Sequence, residues 1–340
     1  FFDTVFYLMI PLGKALAMRF QKNYGLYIMT IVAGATMAHS LVPPTPGPLF
    51  VAEQLNVNLG LMIVMGLAVG SVTCASGYVY STWVNRKIKW HVPLRDSPDS
   101  PLAKLEEISH HKDKSLPHFG LALLPVGLPI LLIAGNTILQ KIITFPSASW
   151  SNFLNLVGDK NIALIISAIV ALGLLIFQKR GDKQALFESV QSALASGGVV
   201  ILITAAGASF GSMLQQTNIA DRISGLAELF NVSGLLLLPL AFFVTAIVRT
   251  AQGSATVSMI TSVGIFASMA EGLSFHPVYL AMAIGCGSKP FPWMNDSGFW
   301  VINRMSGMTI RESIRNVSFL MTVMAIVGLI TVILLAWVFP

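Results

Sequence analysis

Several stretches of this chain are apolar over the length that is needed to cross a lipid bilayer. A membrane-spanning helix takes about 20 apolar residues, and five segments approach or exceed that length: 59–84, 119–140, 162–177, 235–248 with its continuation, and 317–340. Charged residues make up only 11% of the chain, whereas about a quarter is usual in soluble domains. There is too little charge to coat a water-facing surface. The sequence therefore predicts an all-α polytopic membrane protein with the lipid bilayer as its surroundings.

The basic residues are concentrated at one end of these spans. Most of the 21 Lys and Arg residues fall in the stretches 14–22, 86–114, 179–183 and 304–315, whereas 41–60 and 270–276 have none. Cytoplasmic loops of membrane proteins carry this excess of positive charge, so the four basic stretches are predicted to be cytoplasmic. We expect a multi-pass protein of the plasma (inner) membrane. No basic polar face predicts nucleic-acid binding, and no spaced set of Cys, His and carboxylates predicts a metal site or another cofactor.

Two blocks of the chain share the same spacing of polar interruptions. Asp3 precedes Pro46 by 43 residues, and Gln252 precedes Asn295 by 43 residues. The connector between the interruptions is basic in the first block and has no Lys or Arg in the second, and the pattern reverses after the second interruption. The two blocks are therefore predicted to have opposite membrane orientations. Inverted repeats with broken helices are typical of secondary transporters, which bind substrate at the breaks.

This pattern divides the chain into three parts. Residues 1–84 are the second part of a first inverted repeat, the proline- and charge-rich residues 85–118 are a cytoplasmic linker, and residues 119–340 are the second repeat. The chain begins at Phe1 within an apolar run and without Met, so we expect it to be N-terminally truncated. Within the second repeat, the glycine-interrupted residues 197–231 are predicted either as a re-entrant hairpin or as one tilted span followed by an amphipathic surface helix.

The first interruption cannot continue a helix, because residues 43–48 contain four prolines. Free N–H groups and the positive N-terminus of the helix that follows suit a carboxylate. Thr45, Pro46 and Gly47 are therefore candidate substrate-binding residues. The alternative is an ordinary surface loop between two spans.

The second block supplies hydroxyl, amide and cationic groups. A polyhydroxylated substrate needs a partner for each buried hydroxyl, although Ser and Thr can instead bond back to their own helix. Arg249 is costly at membrane depth and is therefore expected to be functional, unless it snorkels to the interface. The candidate substrate-binding residues of this block are Arg249, Gln252, Gly253, Ser254, Thr256, Ser288, Asn295 and Ser297.

Three ionisable residues are candidates for carrying a coupled proton. Asp3 and Asp296 lie between apolar stretches, and His39 titrates near neutral pH. Asp296 could instead form a salt bridge with Lys289 or Arg249, and the position of Asp3 could be an artefact of truncation. The sequence does not choose between the two carboxylates.

Three motifs are similar to those of the gluconate permease family of the ion transporter superfamily. Residues 39–48 resemble its His-Gly-…-Pro-Pro-x-Pro-Gly-Pro stretch, residues 249–256 its Arg-x-Ala-Gln-Gly-Ser-Ala-Thr, and residues 287–300 its Gly-Ser-Lys…Asn-Asp-x-Gly-Phe-Trp. The resemblance implies inverted repeats with a re-entrant hairpin in each, a homodimer formed through a scaffold, and elevator-type movement of a transport domain. Departures at Ser40, Thr45 and residues 289–293 lie in the inferred site.

The resemblance implies proton-coupled import of gluconate or a related sugar acid. The alternative is a symporter for another small carboxylate, such as a hydroxy acid or a D-amino acid. An enzyme is not predicted, because the six histidines do not group with carboxylates within the apolar segments. A channel rarely needs two broken, inverted helices.

Overall fold

The computed structural model describes residues 2–20, 23–87, 118–142, 148–216, 234–270 and 273–340. All regular secondary structure within these ranges is helical. The α-helices of the N-terminal part are α1 (Phe2–Phe20), α2 (Tyr24–Leu41), α3 (Pro46–Gln54) and α4 (Leu59–Lys87). Those that follow residue 118 are α5 (Phe119–Ile142), α6 (Ala148–Val157), α7 (Lys160–Gln178), α8 (Lys183–Gln216), α9 (Leu237–Gln252), α10 (Ala255–Phe266), α11 (Pro277–Gly287), α12 (Ser297–Ser306), α13 (Ile310–Ser313) and α14 (Phe319–Val338). A π-helix, Ile314–Ser318, joins α13 to α14.

Five helical segments in the described part of the chain are long and apolar enough to cross a membrane. They are Tyr24–Gln54, Leu59–Lys87, Asn161–Gln178, Gly234–Gln252 and Ile310–Val338. Helices α10 and α11 are apolar but shorter. The prediction of a polytopic all-helical membrane protein is confirmed.

The helix boundaries follow local chemistry. Helix α2 ends at Leu41, two residues before the proline pair 43–44, and α3 begins at Pro46, whose fixed φ suits the first helical position. Helix α12 ends at Gly307, whose φ of 72° is readily adopted by glycine. The next helix begins with a capping box in which Thr309 and Glu312 exchange hydrogen bonds.

The core of the molecule is a set of helices that cross near the points where helices are interrupted. Helix α2 packs along α4, α4 along α14, and α9 along α11. Helix α1 contacts the short helix α12, while α10 contacts the short helix α3. Each short helix therefore rests against a helix from the other part of the chain.

The parts of the chain before and after the linker also resemble each other in helix lengths. Each has a helix that ends at a break (α2 and α11), a short helix of 9 or 10 residues (α3 and α12), and a long span of 29 residues (Leu59–Lys87 and Ile310–Val338). This order matches the predicted repeat. It gives no membrane orientation for either part.

Two predictions concern segments that are described only partly. The predicted linker 85–118 overlaps the last turn of α4 and ends where α5 begins, while residues 88–117 lie outside the described residues. Residues 197–216 of the predicted hairpin belong to α8, which is one continuous helix of 34 residues. Residues 217–231 lie outside the described ranges, so the hairpin stays a prediction.

Candidate functional site

The short non-helical segments that follow α2, α9 and α11 lie next to one another. We call the place where they meet the crossing. Gly285 of α11 lies so close to the last turn of α2 that an added Cβ would be 2.7 Å from the carbonyl oxygen of Ser40. Gly47, in the first turn of α3, lies against Met259 and the backbone of Thr256 in α10. The sequence puts these segments more than 200 residues apart, and the fold brings them into contact.

A buried ion pair lies at the crossing. Both of its residues belong to the second part of the chain, which follows the linker. Arg249, in the last turn of α9, is 3% exposed and pairs with the carboxylate of Asp296. The Nε of Arg249 donates a hydrogen bond of 2.9 Å to the carbonyl oxygen of Ser288. The salt bridge that the sequence left open for Asp296 is therefore formed with Arg249.

Asp296 has a second role as the N-cap of α12. Its Oδ1 accepts hydrogen bonds from the backbone N–H groups of Gly298 at 2.7 Å and Phe299 at 3.3 Å. One carboxylate oxygen thus satisfies free donors at the helix start, while the other meets the guanidinium. Both oxygens of Asp296 are engaged.

Lys289 is the residue that the sequence analysis missed as a site member. It is 1% exposed, and its Nζ donates a hydrogen bond of 2.5 Å to the backbone carbonyl of Thr36 in α2. In the described part of the chain no carboxylate lies within ion-pair distance of Lys289. A lysine within an apolar run was the signal in the sequence. Nothing in the sequence indicates Thr36 as its acceptor.

His39 connects the two parts of the chain by a side-chain contact. It is buried in the last turn of α2, and its Nε2 lies 3.3 Å from the Oγ1 of Thr256 in α10. Its side chain also lines two cavities at the crossing, one small and one larger. His39 thus lines both cavities, whereas Asp296 lines the smaller one.

The cavity at the centre of the crossing is small. Its volume is about 20 Å³, which is room for roughly one water molecule. Three of the predicted site residues line it, namely His39, Arg249 and Asp296. The remaining lining residues are Thr36, Ser40, Ala255, Pro292, Gly298, Phe299, Ile302 and Met321. An organic substrate has no space there, so the crossing is closed.

A larger cavity of about 570 Å³ opens on the other side of His39. It lies between the break that follows α2 and the helices α5 and α7, and its walls are mainly apolar. Thr45 lines this cavity and donates a hydrogen bond of 2.7 Å to the carbonyl of Val42. Its size falls within the range of small-molecule pockets, roughly 300–1,000 Å³.

Several other predicted residues shape the backbone of the breaks. Gly253 ends α9 with a φ of 77°, and Ser254 caps α10 by accepting from the N–H of Val257 at 3.3 Å. Pro46 is the first residue of α3. The buried Ser288 donates to the carbonyl of Gly285 at 2.8 Å.

The remaining predictions fall outside the closed cavity. Gln252, Asn295 and Ser297 are exposed. The Nδ2 of Asn295 donates to the carbonyls of Thr250 at 2.8 Å and Ala251 at 3.2 Å, so it satisfies free acceptors at the end of α9. The side chain of Asp3 lies outside the described residues.

Comparison with known proteins gives a consistent result. The sequence model of the GntP family permeases matches residues 1–338. The chain is 31% identical to the gluconate permease of Pseudomonas aeruginosa over 99% of this chain and 73% of that protein. It is 29% identical to the inner membrane permease YgbN of Escherichia coli, over 96% of this chain and 72% of that protein. It is 27% identical to the low-affinity gluconate transporter of Escherichia coli, over 97% of this chain and 72% of that protein.

Proposed function

Because the chain belongs to the GntP family permeases, we propose that it imports gluconate or a related sugar acid by proton symport. Membership of this family makes the chain a transporter and not an enzyme. Its described spans and its permease relatives make it a multi-pass inner membrane protein. The substrate and the coupled proton belong to the proposal.

The charge balance at the crossing carries the choice of an anion. Arg249 and Lys289 are both buried there, and Asp296 is the carboxylate that pairs with one of them. Among the described residues, the hydrogen-bond partner of Lys289 is the neutral carbonyl of Thr36. A buried cation without a counter-charge is costly, and a substrate carboxylate that arrives at the crossing would supply that charge. The relatives include gluconate permeases, and gluconate is an anion that carries a carboxylate.

Hydroxyl recognition is assigned to the groups around the same crossing. Thr256, Ser40 and the backbone of the broken segments would receive the substrate hydroxyls once the cavity opens. The 20 Å³ cavity then represents the closed arrangement. We expect opening to separate the α2 break from α10.

The proton is assigned to His39. Both oxygens of Asp296 are engaged by Arg249 and the start of α12, which leaves this carboxylate poorly placed to exchange a proton. His39 lies between the two cavities and contacts Thr256 across the crossing. It can therefore take up a proton from one cavity, and the positive charge that results would act on the groups that line the other.

The inverted repeats, elevator-type movement and homodimer are part of the same proposal. The repeats and the movement are supported by the matching helix order and by the contacts of α1 with α12 and of α10 with α3, whereas the homodimer rests on the family resemblance. A pseudo-symmetric pair of broken helices is the arrangement in which transporters alternate access around a fixed site.

The test of the anion assignment is uptake of radiolabelled gluconate into proteoliposomes. Lys289→Met should abolish uptake, because it removes the unpaired buried cation. Lys183→Met is the matched control, since Lys183 is exposed in the first turn of α8, and it should transport normally. Normal uptake by Lys289→Met would refute the charge argument. Competition by other aldonates, uronates, lactate and D-serine then ranks the substrates.

Proton coupling is tested with His39→Gln. Wild-type uptake should be faster when the outside is acidic, and this acceleration should disappear in the variant. Exchange of internal for external gluconate without a pH gradient should persist, because exchange requires no net proton movement. An unchanged response of His39→Gln to the pH gradient would move the proton to another residue.

A further inference from the structure

We propose that a third cavity, between α4 and the π-helix, binds the phosphate group of an anionic phospholipid. This cavity has a volume of about 240 Å³ and lies away from the closed crossing. Lys87 in the last turn of α4 and Arg315 in the π-helix Ile314–Ser318 both line it. Two cations from separate spans therefore face one cavity, whose described lining contains no acidic residue.

The position of the cavity fits the surface of the cytoplasmic leaflet. Lys87 is the last residue of one 29-residue span, and Arg315 lies near the start of another. Both belong to basic stretches that the distribution of charge assigns to the cytoplasm. Basic pockets between spans on this side are suited to anionic headgroups, because the leaflet itself is negatively charged.

Aromatic side chains form the wall that faces the lipid. Trp83 is 52% exposed and Phe319 is 49% exposed, and Tyr80 stacks near Trp83 with ring centroids 5.9 Å apart. Such rings are favoured at the membrane interface. The Nζ of Lys87 lies 4.2 Å from the centroid of Trp83, so a cation–π contact already orients the ammonium at the mouth of the cavity.

Asn316 supplies an independent indication that the cavity has a ligand. It lines the cavity and is 1% exposed. Neither its Nδ2 nor its Oδ1 has a hydrogen-bond partner in the described part of the chain. Buried polar atoms are nearly always bonded, and the amide N–H groups would be satisfied by a phosphate oxygen. The π-helix that holds Asn316 is a rare conformation that often marks functional sites.

The lipid is preferred over a free phosphate ion because of these surroundings. Exposed aromatic rings cover one side of the cavity. Contact with acyl chains and glycerol suits these rings better than contact with bulk water. Its volume is below the roughly 300 Å³ at which pockets for whole drug-sized ligands begin. It therefore suits a headgroup whose tails stay in the bilayer.

The experiment measures how short-chain phosphatidylglycerol raises the melting temperature of the purified full chain in neutral detergent. Dose–response curves give its affinity, and phosphatidylcholine of the same chain length, inorganic phosphate and gluconate are the comparison ligands. Phosphatidylglycerol should stabilise the protein at concentrations at which the other three do not. Equal binding of inorganic phosphate would overturn the choice of a lipid.

Charge-removing variants locate the site. Lys87→Gln and Arg315→Gln should each weaken phosphatidylglycerol binding about fivefold, the contribution of one basic residue near an anionic headgroup. Arg86→Gln and Arg311→Gln are matched controls, because both residues are exposed in the same basic regions but do not line the cavity. Equal affinities for all four variants would refute the site.

Asn316→Leu tests the polar contact without a change of charge. If the amide serves a headgroup, this variant should fold with unreduced stability in neutral detergent and bind phosphatidylglycerol more weakly than the wild type. A variant that keeps the wild-type affinity would show that Asn316 does not contact the ligand. The Arg315→Gln comparison decides the proposal if Asn316→Leu does not fold.

Discussion

Asp296→Asn is expected to destabilise the transporter although it preserves the shape of the side chain. The asparagine Oδ1 can still cap α12 by accepting from Gly298 and Phe299. What is lost is the negative charge opposite Arg249, whose guanidinium is 3% exposed and, among the described residues, keeps its bond to the carbonyl of Ser288. The cost is thus that of a buried cation without its counter-charge.

The magnitude follows from that description. Breaking a buried ion pair by removal of one partner costs about 3–5 kcal/mol. For 340 residues, the unfolding entropy per residue of globular proteins converts this loss to a fall of about 4–7 °C in melting temperature. Asp296→Ala also loses the cap and should cost about 1 kcal/mol more. Arg249→Met combined with Asp296→Asn removes both charges, and most of the stability should return.

The assay is thermal unfolding of purified protein in detergent, read from the monodisperse fraction after heating. A double-mutant cycle over Arg249 and Asp296 isolates the pair from the other effects of each substitution. The reasoning is refuted if Asp296→Asn melts within about 1 °C of the wild type, or if the double variant is no more stable than Asp296→Asn. Gluconate uptake should be lost in the double variant even though its stability returns, because its site would lack both charges.

Two glycine substitutions should show how tightly the breaks are packed. Gly253→Ala should lower the melting temperature by several degrees, because φ is 77° and a Cβ would collide with the backbone of the last break. Gly181→Ala is its control, with a φ of 101° and open space around the Cβ, and should cost only the strain of the positive φ, about 1–3 kcal/mol. Gly285→Ala should reduce both stability and uptake, because its Cβ would lie 2.7 Å from the carbonyl oxygen of Ser40. Gly34→Ala, in the interior of α2 with nothing within 4 Å, should be neutral or stabilising by up to about 1 kcal/mol; equal losses at Gly285 and Gly34 would contradict a close crossing.

The helices and their breaks could be predicted from sequence because they depend on local chemistry. The prolines at positions 43–48 end α2 before Val42 and start α3 at Pro46, whatever the rest of the chain does. Span lengths follow from bilayer thickness in the same way. Arg249 was a strong candidate because a buried guanidinium needs a partner, and Asp296 was one of the few available.

Contacts across the crossing could not be predicted, because they depend on how distant helices pack. Thr36 lies within an apolar helix, and its acceptor for Lys289 is a backbone carbonyl that every residue possesses. Asn295 was predicted to bind substrate, and its amide donates to the last carbonyls of α9 in the structure. The sequence does not predict this bond, because an amide next to a helix break suits either partner; substrate binding by Asn295 stays a prediction.

The contacts that hold the crossing closed differ in strength according to where they lie. At the crossing, the described hydrogen-bond contacts between α2 and the second part of the chain are the 3.3 Å contact of His39 with Thr256 and the 2.5 Å bond from Lys289 to the Thr36 carbonyl. At the opposite end of α2, the Tyr24 hydroxyl also donates to the carbonyl of Ser306. The ion pair of Arg249 with Asp296 lies entirely within the second part. Separation along this plane therefore breaks hydrogen bonds to neutral acceptors and leaves the ion pair intact. Because hydroxyls and a carboxylate of a sugar acid can replace both broken contacts, we expect the substrate to lower the free energy of the open crossing more than water does.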